Sequence, residues 1–426
     1  MNNPGLSTVA KRASGQAISY LMQALFQHSD CISLAAGFVD ESTLPTQLVI
    51  DSTQRILTQD ADGRSKLQYG TTPGVESLRA IFRSHLSELE NNPDINSLPL
   101  DRIVLTTGSQ QLLCLLTQAL FEPGDICLVA APTYFVYLSV LEGTGAEVIP
   151  VPTDHKGMKP DGLESILRNL TDQGRRHRVK LVYAVSYYDN PSGISISGDR
   201  RQQLVQMVQK WSSPQQPLFL LEDAAYRELR YEGPVLPSLW SFDDSAETVI
   251  LTQTFSKSFS PGLRVGFSVL PETLIKPVCD LKGNEDFGSS RFNQHLIADV
   301  LQSGSYAAHL KQVIAGYELK RNAMLSAAAE FFSDIPDVDW FRPSGGLYLW
   351  MTLSPKIRTG FDSRLFEYAT QTAKVIYVPG ELCYPTSWEG RPRNQMRLSF
   401  GVESPAAIRD GLRRLACAVR HVTDHS

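Results

Sequence analysis

Cysteine is sparse in this sequence and never paired for chemistry. The six (Cys31, Cys114, Cys127, Cys279, Cys383 and Cys417) are scattered, with no CxxC and no His/Cys cluster. That argues against a zinc site and a disulfide framework, and it fits reduced thiols in a cytoplasmic protein. Long apolar runs are missing too. The best, LLCLLTQALF (112–121), is short and contains Thr117 and Gln118, so no membrane span is expected. No Lys/Arg block stands out in a chain of formal net charge −5, which gives no reason to expect nucleic acid as a partner. The densest basic stretch, Arg175-Arg176-His177-Arg178, precedes a strand and reads as a solvated loop. The N-terminal MNNPGLSTVAKRASGQ lacks the charged-then-apolar plan of a signal peptide. No internal repeat or low-complexity segment is found.

What remains is the composition of an ordinary globular chain, 426 residues long and 42% hydrophobic, long enough that two domains are the default. Residues 17–26, AISYLMQALF, read as a short amphipathic helix. From 101 to 270 strand and helix patterns alternate, which predicts a mainly parallel sheet with helices on both faces. The strand candidates are Ile103–Leu105, Ile126–Ala130, Glu147–Val151, Lys180–Val185, Leu218–Leu221 and Val249–Leu251. Such a fold takes its ligand at the carboxyl ends of the strands, so the residues following each strand carry the functional information.

After the first strand, TTGSQQLLCLL (106–116) puts Gly108, Ser109 and Gln110 in the first turn of a helix, where free amides favour a phosphate. Many helices simply begin this way. After the second, APTYF (131–135) presents Tyr134, either a core tyrosine or a flat ring for stacking on a heterocycle. SYYDNPSG (186–193) is a turn by its chemistry at Asn190-Pro191-Ser192-Gly193. EDAAY (222–226) ends an apolar strand in two carboxylates, which is costly unless one has a partner; Asp223 also reads as an N-cap. The run VILTQTFSKSFSPGLRVGF (249–267) leads from an apolar strand into Ser256, Lys257 and Ser258, with Arg264 seven residues past the lysine. A lysine just beyond a buried strand suits a nucleophile, or the amine of an imine with a bound aldehyde, and Ser256 and Arg264 could hold an anion beside it. By itself the stretch also reads as a strand followed by a solvated loop.

Outside this region, ISLAAGFVDESTLP (32–45) is an apolar run broken by Gly37, which is a turn glycine or a point of close backbone approach. LQYGTTPGVESLR (67–79) is a loop before a helix, with Tyr69 readable as a packed aromatic. Residues 280–345 look helical and charged, with a long helix over 312–332. SGGLYLWMTL (344–353) and VIYVPGELCY (375–384) are strand-like, and NQMRLSF (394–400) sets Arg397 in a further strand. Arg397 is either one half of a surface ion pair or a fork for a carboxylate.

Taken in order, these segments resemble the pyridoxal-phosphate (PLP) aminotransferases of fold type I, class I/II. Ser256-Lys257 with Pro261-Gly262-Leu263-Arg264-Val265-Gly266 is similar to their S-K, spacer, P-G-x-R-x-G segment. Asn190-Pro191-Ser192-Gly193 resembles N-P-x-G, and Asp223 to Tyr226 resembles D-x-A/P-Y. Tyr69 to Arg79 resembles Y-G-x-x-x-G-x-x-x-L-R, and Gly345 to Trp350 resembles G-G-x-F/Y-x-W. The likeness spans about residues 30–420. The GSQQ and LQYG spellings resemble the branch of 2-aminoadipate, kynurenine and aromatic aminotransferases, together with the aminotransferase-like half of the MocR regulators.

The resemblance implies a large domain with a mainly parallel seven-stranded sheet flanked by helices, plus a small α+β domain. It implies an arm over 1–48, the cofactor domain over 49–311 and the small domain over 312–426. It implies PLP held as an imine on Lys257, with Asp223 at the ring nitrogen and Asn190 and Tyr226 at the ring O3′. Tyr134 would lie on the ring. Gly108, Ser109, Gln110, Ser256 and Arg264, with Tyr69 from a second subunit of a homodimer, would hold the phosphate. Gly37, Asn190 and Arg397 would meet the substrate, Arg397 through its α-carboxylate. The reaction implied moves an amino group from an L-amino acid to a 2-oxo acid such as 2-oxoglutarate. Relatives that take acidic side chains carry an arginine in the first helix; here QAISYL (16–21) has Ser19 there, which favours aromatic or aliphatic donors. A PLP lyase or cyclising enzyme could use the same cofactor residues. A PLP-sensing regulator needs a DNA-binding module, and only about thirty residues precede the fold. A non-catalytic scaffold is disfavoured because no cofactor residue is missing.

Overall fold

The computed structural model describes residues 5–12, 17–58 and 63–424. Of the N-terminal MNNPGLSTVAKRASGQ, residues 1–4 and 13–16 therefore lie outside the described part, as does Gln16 of the segment compared at Ser19. The first strand, β1 (Ile32–Ser33), has its partner far along the chain. Eight strands follow between 103 and 269: β2 (Ile103–Thr106), β3 (Ile126–Ala131), β4 (Glu147–Asp154), β5 (Gly157–Met158), β6 (Val179–Val185), β7 (Phe219–Asp223), β8 (Val249–Thr254) and β9 (Gly266–Val269). They form one sheet in the order β2-β9-β8-β7-β6-β3-β4-β5. All six strand candidates are found in it. Their near-continuous apolar runs suit strands covered on both faces, and β2, β7 and β8 are buried at every position.

Two strands depart from the expected pattern. β9 runs antiparallel between β2 and β8, because the chain turns sharply back at Arg264 and needs no crossover helix. β5 doubles back on the end of β4 and makes the sheet eight-stranded rather than seven. Helices Ser109–Leu120, Phe135–Thr144, Pro160–Asp172, Gly198–Trp211 and Glu272–Asp286 connect or follow these strands. The helical stretch after the sheet continues as Arg291–Gln302 and Ser305–Phe332. The long helix thus begins at Ser305 and not at 312, just after Gly304 in the left-handed region at φ 73°.

The C-terminal part adds β10 (Asp339–Trp340), β11 (Tyr348–Thr352), β12 (Val375–Ile376), β13 (Val378–Pro379) and β14 (Gln395–Ser399). Four of them form an antiparallel sheet in the order β10-β11-β14-β13, while β12 pairs in parallel with β1. Helix Pro405–Asp424, with Leu412, Leu415 and Val419 buried, packs on Ser305–Phe332. Near the other end, helix Ala17–Gln27 includes the expected 17–26, and Ser19 on it is exposed.

Among the described residues no helix is long and apolar enough to cross a membrane, and no cluster of His, Cys, Asp or Glu could hold a metal. All six cysteines are free thiols. The consequence for function is positional. β6, β7 and β8 end side by side, with Val185 opposite Asp223 and Asp223 opposite Thr252. The small sheet brings Arg397 over that edge.

Candidate active site

A cavity of about 160 Å³ opens at the carboxyl ends of these strands. Ser109, Gln110, Tyr134, Asn190, Asp223, Tyr226, Ser256, Lys257 and Arg264 line it, so nine of the residues chosen from the sequence meet in one place. A larger groove of about 500 Å³, between helix Ala17–Gln27 and residues 361–371, contains none of them.

Lys257 comes three residues after the end of β8 and is half-buried. Its Nζ donates to the Gly37 carbonyl at 2.8 Å. Burial lowers its pKa, with the nearby Arg397 and Arg264 acting in the same direction and Tyr348 opposing them. A lysine depressed in this way holds more of the neutral, nucleophilic amine at neutral pH. The reading of this stretch as a solvated loop does not survive: Phe255, Ser256, Ser258 and Phe259 are all buried.

Glu222 and Asp223 end β7 with opposite fates. Glu222 is buried among its own partners, the Ser186 hydroxyl at 2.6 Å, the Trp240 amide at 3.0 Å and the Arg201 guanidinium at 3.5 Å. Asp223 faces the cavity. Tyr183 donates to its Oδ2 at 3.1 Å and the Ala225 amide to its Oδ1 at 3.2 Å. Burial pushes its carboxyl up to about 6. The N-cap reading is corrected: 225–228 form a turn rather than a helix, and the carboxylate closes that turn on its own backbone.

Arg264 adopts the left-handed conformation at φ 53° and donates to Ser256 Oγ at 3.3 Å and to the Thr107 carbonyl at 3.2 Å. Gly108 is required beside it. Its φ is 73°, and a Cβ there would stand 2.9 Å from the Arg264 guanidinium. Gly108 is the cap of helix Ser109–Leu120, so only Ser109 and Gln110 of the expected trio lie in its first turn. Gln110 keeps a buried Oε1 without a hydrogen-bond partner. Ser109, Ser256 and Arg264 together make a polar, cationic cup at a helix N-terminus, suited to a phosphate.

Arg397 is buried, not a surface ion-pair residue. It donates to Asn190 Oδ1 and to the Ala35 carbonyl, each at 2.8 Å. Its guanidinium lies 4.4 Å from the Tyr348 ring centroid and 5.5 Å from that of Phe135. Its guanidinium bonds only to these two oxygens, with no carboxylate among the described residues pairing with it, and its Nε has no hydrogen-bond partner. Gly37 is a close-approach glycine, because a Cβ would meet the Tyr348 hydroxyl at 3.0 Å and the Arg397 guanidinium at 3.8 Å. Tyr134 borders the cavity and is only half-buried, so it is not a plain core residue.

Gly37, Gly108 and Arg397 stand beside the lining residues Lys257, Arg264 and Asn190, whereas Tyr69 neither lines the cavity nor bonds to a residue that does. It is 74% exposed, its ring edge-on to Phe287 at 5.4 Å, which overturns its reading as a packed aromatic.

Several neighbours were not singled out from the sequence. Tyr183 steadies Asp223, and the Tyr348 hydroxyl lies 3.1 Å from that of Tyr226. Behind Lys257 runs a buried chain of polar groups. The Tyr306 hydroxyl bridges Glu228 Oε2 at 2.6 Å and Ser258 Oγ at 2.7 Å, and His85 Nε2 lies 3.5 Å from Glu228 Oε1. With one proton to give, Tyr306 donates to the carboxylate and accepts from Ser258. Only Tyr348 had a visible signal, the aromatic position of the Gly-Gly segment.

A mixed α/β sheet carrying a lysine, a carboxylate and an anion cup at its strand ends defines the fold type I PLP transferases. The family model for aminotransferase class I and II matches residues 29–415. An aromatic-amino-acid aminotransferase of Thermococcus litoralis is 32% identical over 96% of this chain and 94% of its own. A kynurenine aminotransferase from Pyrococcus horikoshii, solved with PMP, KYN and KYA, superposes with TM-score 0.87 at 31% identity, over 98% of this chain and 97% of its own. An α-aminoadipate aminotransferase from Thermus thermophilus, solved with N-(5'-phosphopyridoxyl)-L-leucine, superposes with TM-score 0.83 at 28% identity, over 99% and 98%. The chain belongs to the aminotransferase class I and II family. It is an enzyme, an aminotransferase that depends on pyridoxal 5'-phosphate, and the reading as a lyase or cyclising enzyme is not favoured.

Proposed function

We propose that this enzyme moves the amino group of an aromatic or aliphatic L-amino acid to a 2-oxo acid such as 2-oxoglutarate. The observation that carries this reading is Arg397, a buried guanidinium without a carboxylate partner among the described residues, close enough to Lys257 to depress its pKa. A buried cation lacking its counter-ion is strongly unfavourable, and a substrate α-carboxylate supplies that ion in bidentate geometry. The exposed Ser19 on helix Ala17–Gln27 brings no cation to a second carboxylate, which favours uncharged side chains.

The cavity residues fit the cofactor by their chemistry. Asp223 is a buried carboxyl held up near 6 for want of a cation, and a protonated ring nitrogen would be that cation. Ser109, Gln110, Ser256 and Arg264, around Gly108, would take the phosphate. Asn190 and Tyr226 would take the ring O3′, and Tyr134 would cover the ring. When bound, PLP supplies an aldehyde that condenses with amines and a ring that draws electrons from the substrate α-carbon.

The protein's own part is then positional and acid–base. Lys257 would hold the cofactor's aldehyde through its Nζ, and its amine, once free, would serve as the base for the substrate's α-proton. Arg397, with Asn190 beside it, fixes the carboxylate and so orients the α C–H bond. The close packing at Gly37 leaves no room for a larger residue between Arg397 and Tyr348.

A cytoplasmic homodimer belongs to the same reading, with Tyr69 reaching the other subunit's phosphate; the exposed Tyr69, Phe287 and Leu67 support it. So does a division into an arm over 1–48, a cofactor domain over 49–311 and a small domain over 312–426. The test is a screen of amino donors against 2-oxoglutarate with glutamate as readout, run beside sedimentation. Glutamate formed from acidic donors alone would sink the substrate assignment. An active monomer would remove the role given to Tyr69.

A further inference from the structure

Tyr348 has no part in the roles assigned above. It lies on β11 opposite Ser399 of β14, while Trp350 lies opposite Arg397, so Tyr348 and Arg397 are diagonal neighbours on one face of the small sheet. The side chain is almost fully buried. Its ring covers the Arg397 guanidinium at 4.4 Å and meets the Tyr226 ring edge-on at 5.7 Å. A phenylalanine could do both. The hydroxyl is the unexplained part: it is buried beside the reacting lysine, and its hydrogen-bond partner is the Tyr226 hydroxyl at 3.1 Å.

We propose that Tyr348 is a positioning residue whose hydroxyl donates to Tyr226 and thereby fixes Tyr226 as the donor to the cofactor's O3′. The inference rests on the role given to Tyr226 above. Each hydroxyl has one proton. If Tyr226 gives its own to O3′, the pair with Tyr348 must be made with the Tyr348 proton. A hydroxyl that accepts one hydrogen bond is a stronger donor in the next, so the chain Tyr348→Tyr226→O3′ stabilises the oxygen in its anionic form. That lowers the pH at which the lysine-bound cofactor loses its proton and changes colour. The charged and titratable groups acting on the tyrosine pair are Lys257, Arg397, Tyr134 and Tyr317, with Asp223 and Arg264 lining the same cavity as Tyr226, and a Tyr348→Phe change leaves all of them in place.

The experiment is a spectrophotometric pH titration of the bound cofactor in the wild-type holoenzyme, Tyr348→Phe, Tyr226→Phe and the double variant. Tyr348→Phe should raise the midpoint by about half to one pH unit, and Tyr226→Phe by more. In the Tyr226→Phe background the second change should add nothing. The donor KM of Tyr348→Phe should stay within about twofold, because the ring still covers Arg397, while Tyr348→Leu should raise it by roughly tenfold. An unmoved midpoint in Tyr348→Phe, or an equal shift with and without Tyr226, overturns the proposal. A wild-type protein without any visible band would instead overturn the assignment of Lys257, and this inference with it.

Discussion

Lys257 and Gly37 are joined by a hydrogen bond of 2.8 Å, from the ε-amine that follows β8 to a carbonyl in the segment that follows β1. The bond ties the loop at the end of the large sheet to the segment that follows β1, the strand paired with β12. It also aims an amine of lowered pKa into the cavity. Lys257→Ala should therefore lose the visible absorbance of bound cofactor after dialysis, and lose turnover by at least about a thousandfold, since the amine is both the anchor and the base. Borohydride treatment of the wild type should leave a pyridoxyl mass on Lys257. A band that persists in the variant would place the cofactor on another group.

Arg397 separates substrate binding from cofactor binding. Its hydrogen bonds go to Asn190 and Ala35, and none goes to the phosphate cup. Arg397→Ala should raise the donor KM by roughly ten- to a hundredfold with cofactor content unchanged, the size of a lost charge-assisted pair. Arg397→Lys should restore little of it, because a point charge does not reproduce the fork. Loss of cofactor in step with activity would show that Arg397 serves the wrong ligand.

Asp223 makes stability depend on pH in opposite senses with and without cofactor. Burial raises its folded pKa to about 6 from 3.8, so between those values the cofactor-free folded chain binds a proton more tightly than the unfolded chain. Stability must then fall as pH rises from about 4 to about 6, by on the order of 3 kcal/mol from this group. Asp189, which burial pushes up to about 7, adds a fall of the same sign. In melting experiments, cofactor-free Asp223→Asn should gain on the wild type across that window and hold its lead above it. With cofactor bound, the ring-nitrogen cation should return the advantage to Asp223. A wild-type curve that gains on the variant between pH 4 and pH 6 would contradict the burial argument.

Most of the cavity is legible along the chain because a βα repeat delivers its functional residues at strand ends. Asn190, Asp223 and Lys257 each follow a buried apolar run by a few residues, and the run announces them. Arg397 and Gly37 are legible only through family likeness, since their neighbours alone allow a surface pair and a turn. What stays hidden depends on contacts across long sequence gaps. Tyr226 and Tyr348 meet across 122 residues, and Ser258 and Tyr306 across 48, with no local periodicity to mark either pair. β5 and the antiparallel β9 are missed for a related reason: two- and four-residue strands carry too little pattern to stand out from a turn. Tyr69 shows the reverse error, since a large aromatic beside a helix start reads as core when its ring is on the surface.

The polar chain behind Lys257 has a sign of its own. Burial alone would raise the Glu228 carboxyl, yet His85, Tyr306 and Arg227 bring it below its usual 4.5. Glu228 is therefore a stabilising carboxylate, fully effective above about pH 4.5, whose contribution is lost as pH falls through its folded value. Tyr306→Phe removes its 2.6 Å donor and leaves the Ser258 hydroxyl without an acceptor. The variant should be less stable by about 1–3 kcal/mol at pH 7, the cost of under-satisfied buried groups. The gap should narrow below pH 4.5, because Glu228 then takes up a proton and no longer needs the donor. Thermal melts of both proteins across that range decide it. Equal stability at pH 7, or a gap that widens toward acid, would mean that the carboxylate is held by His85 and Arg227 alone and that Ser258 steadies the lysine loop without help from Tyr306.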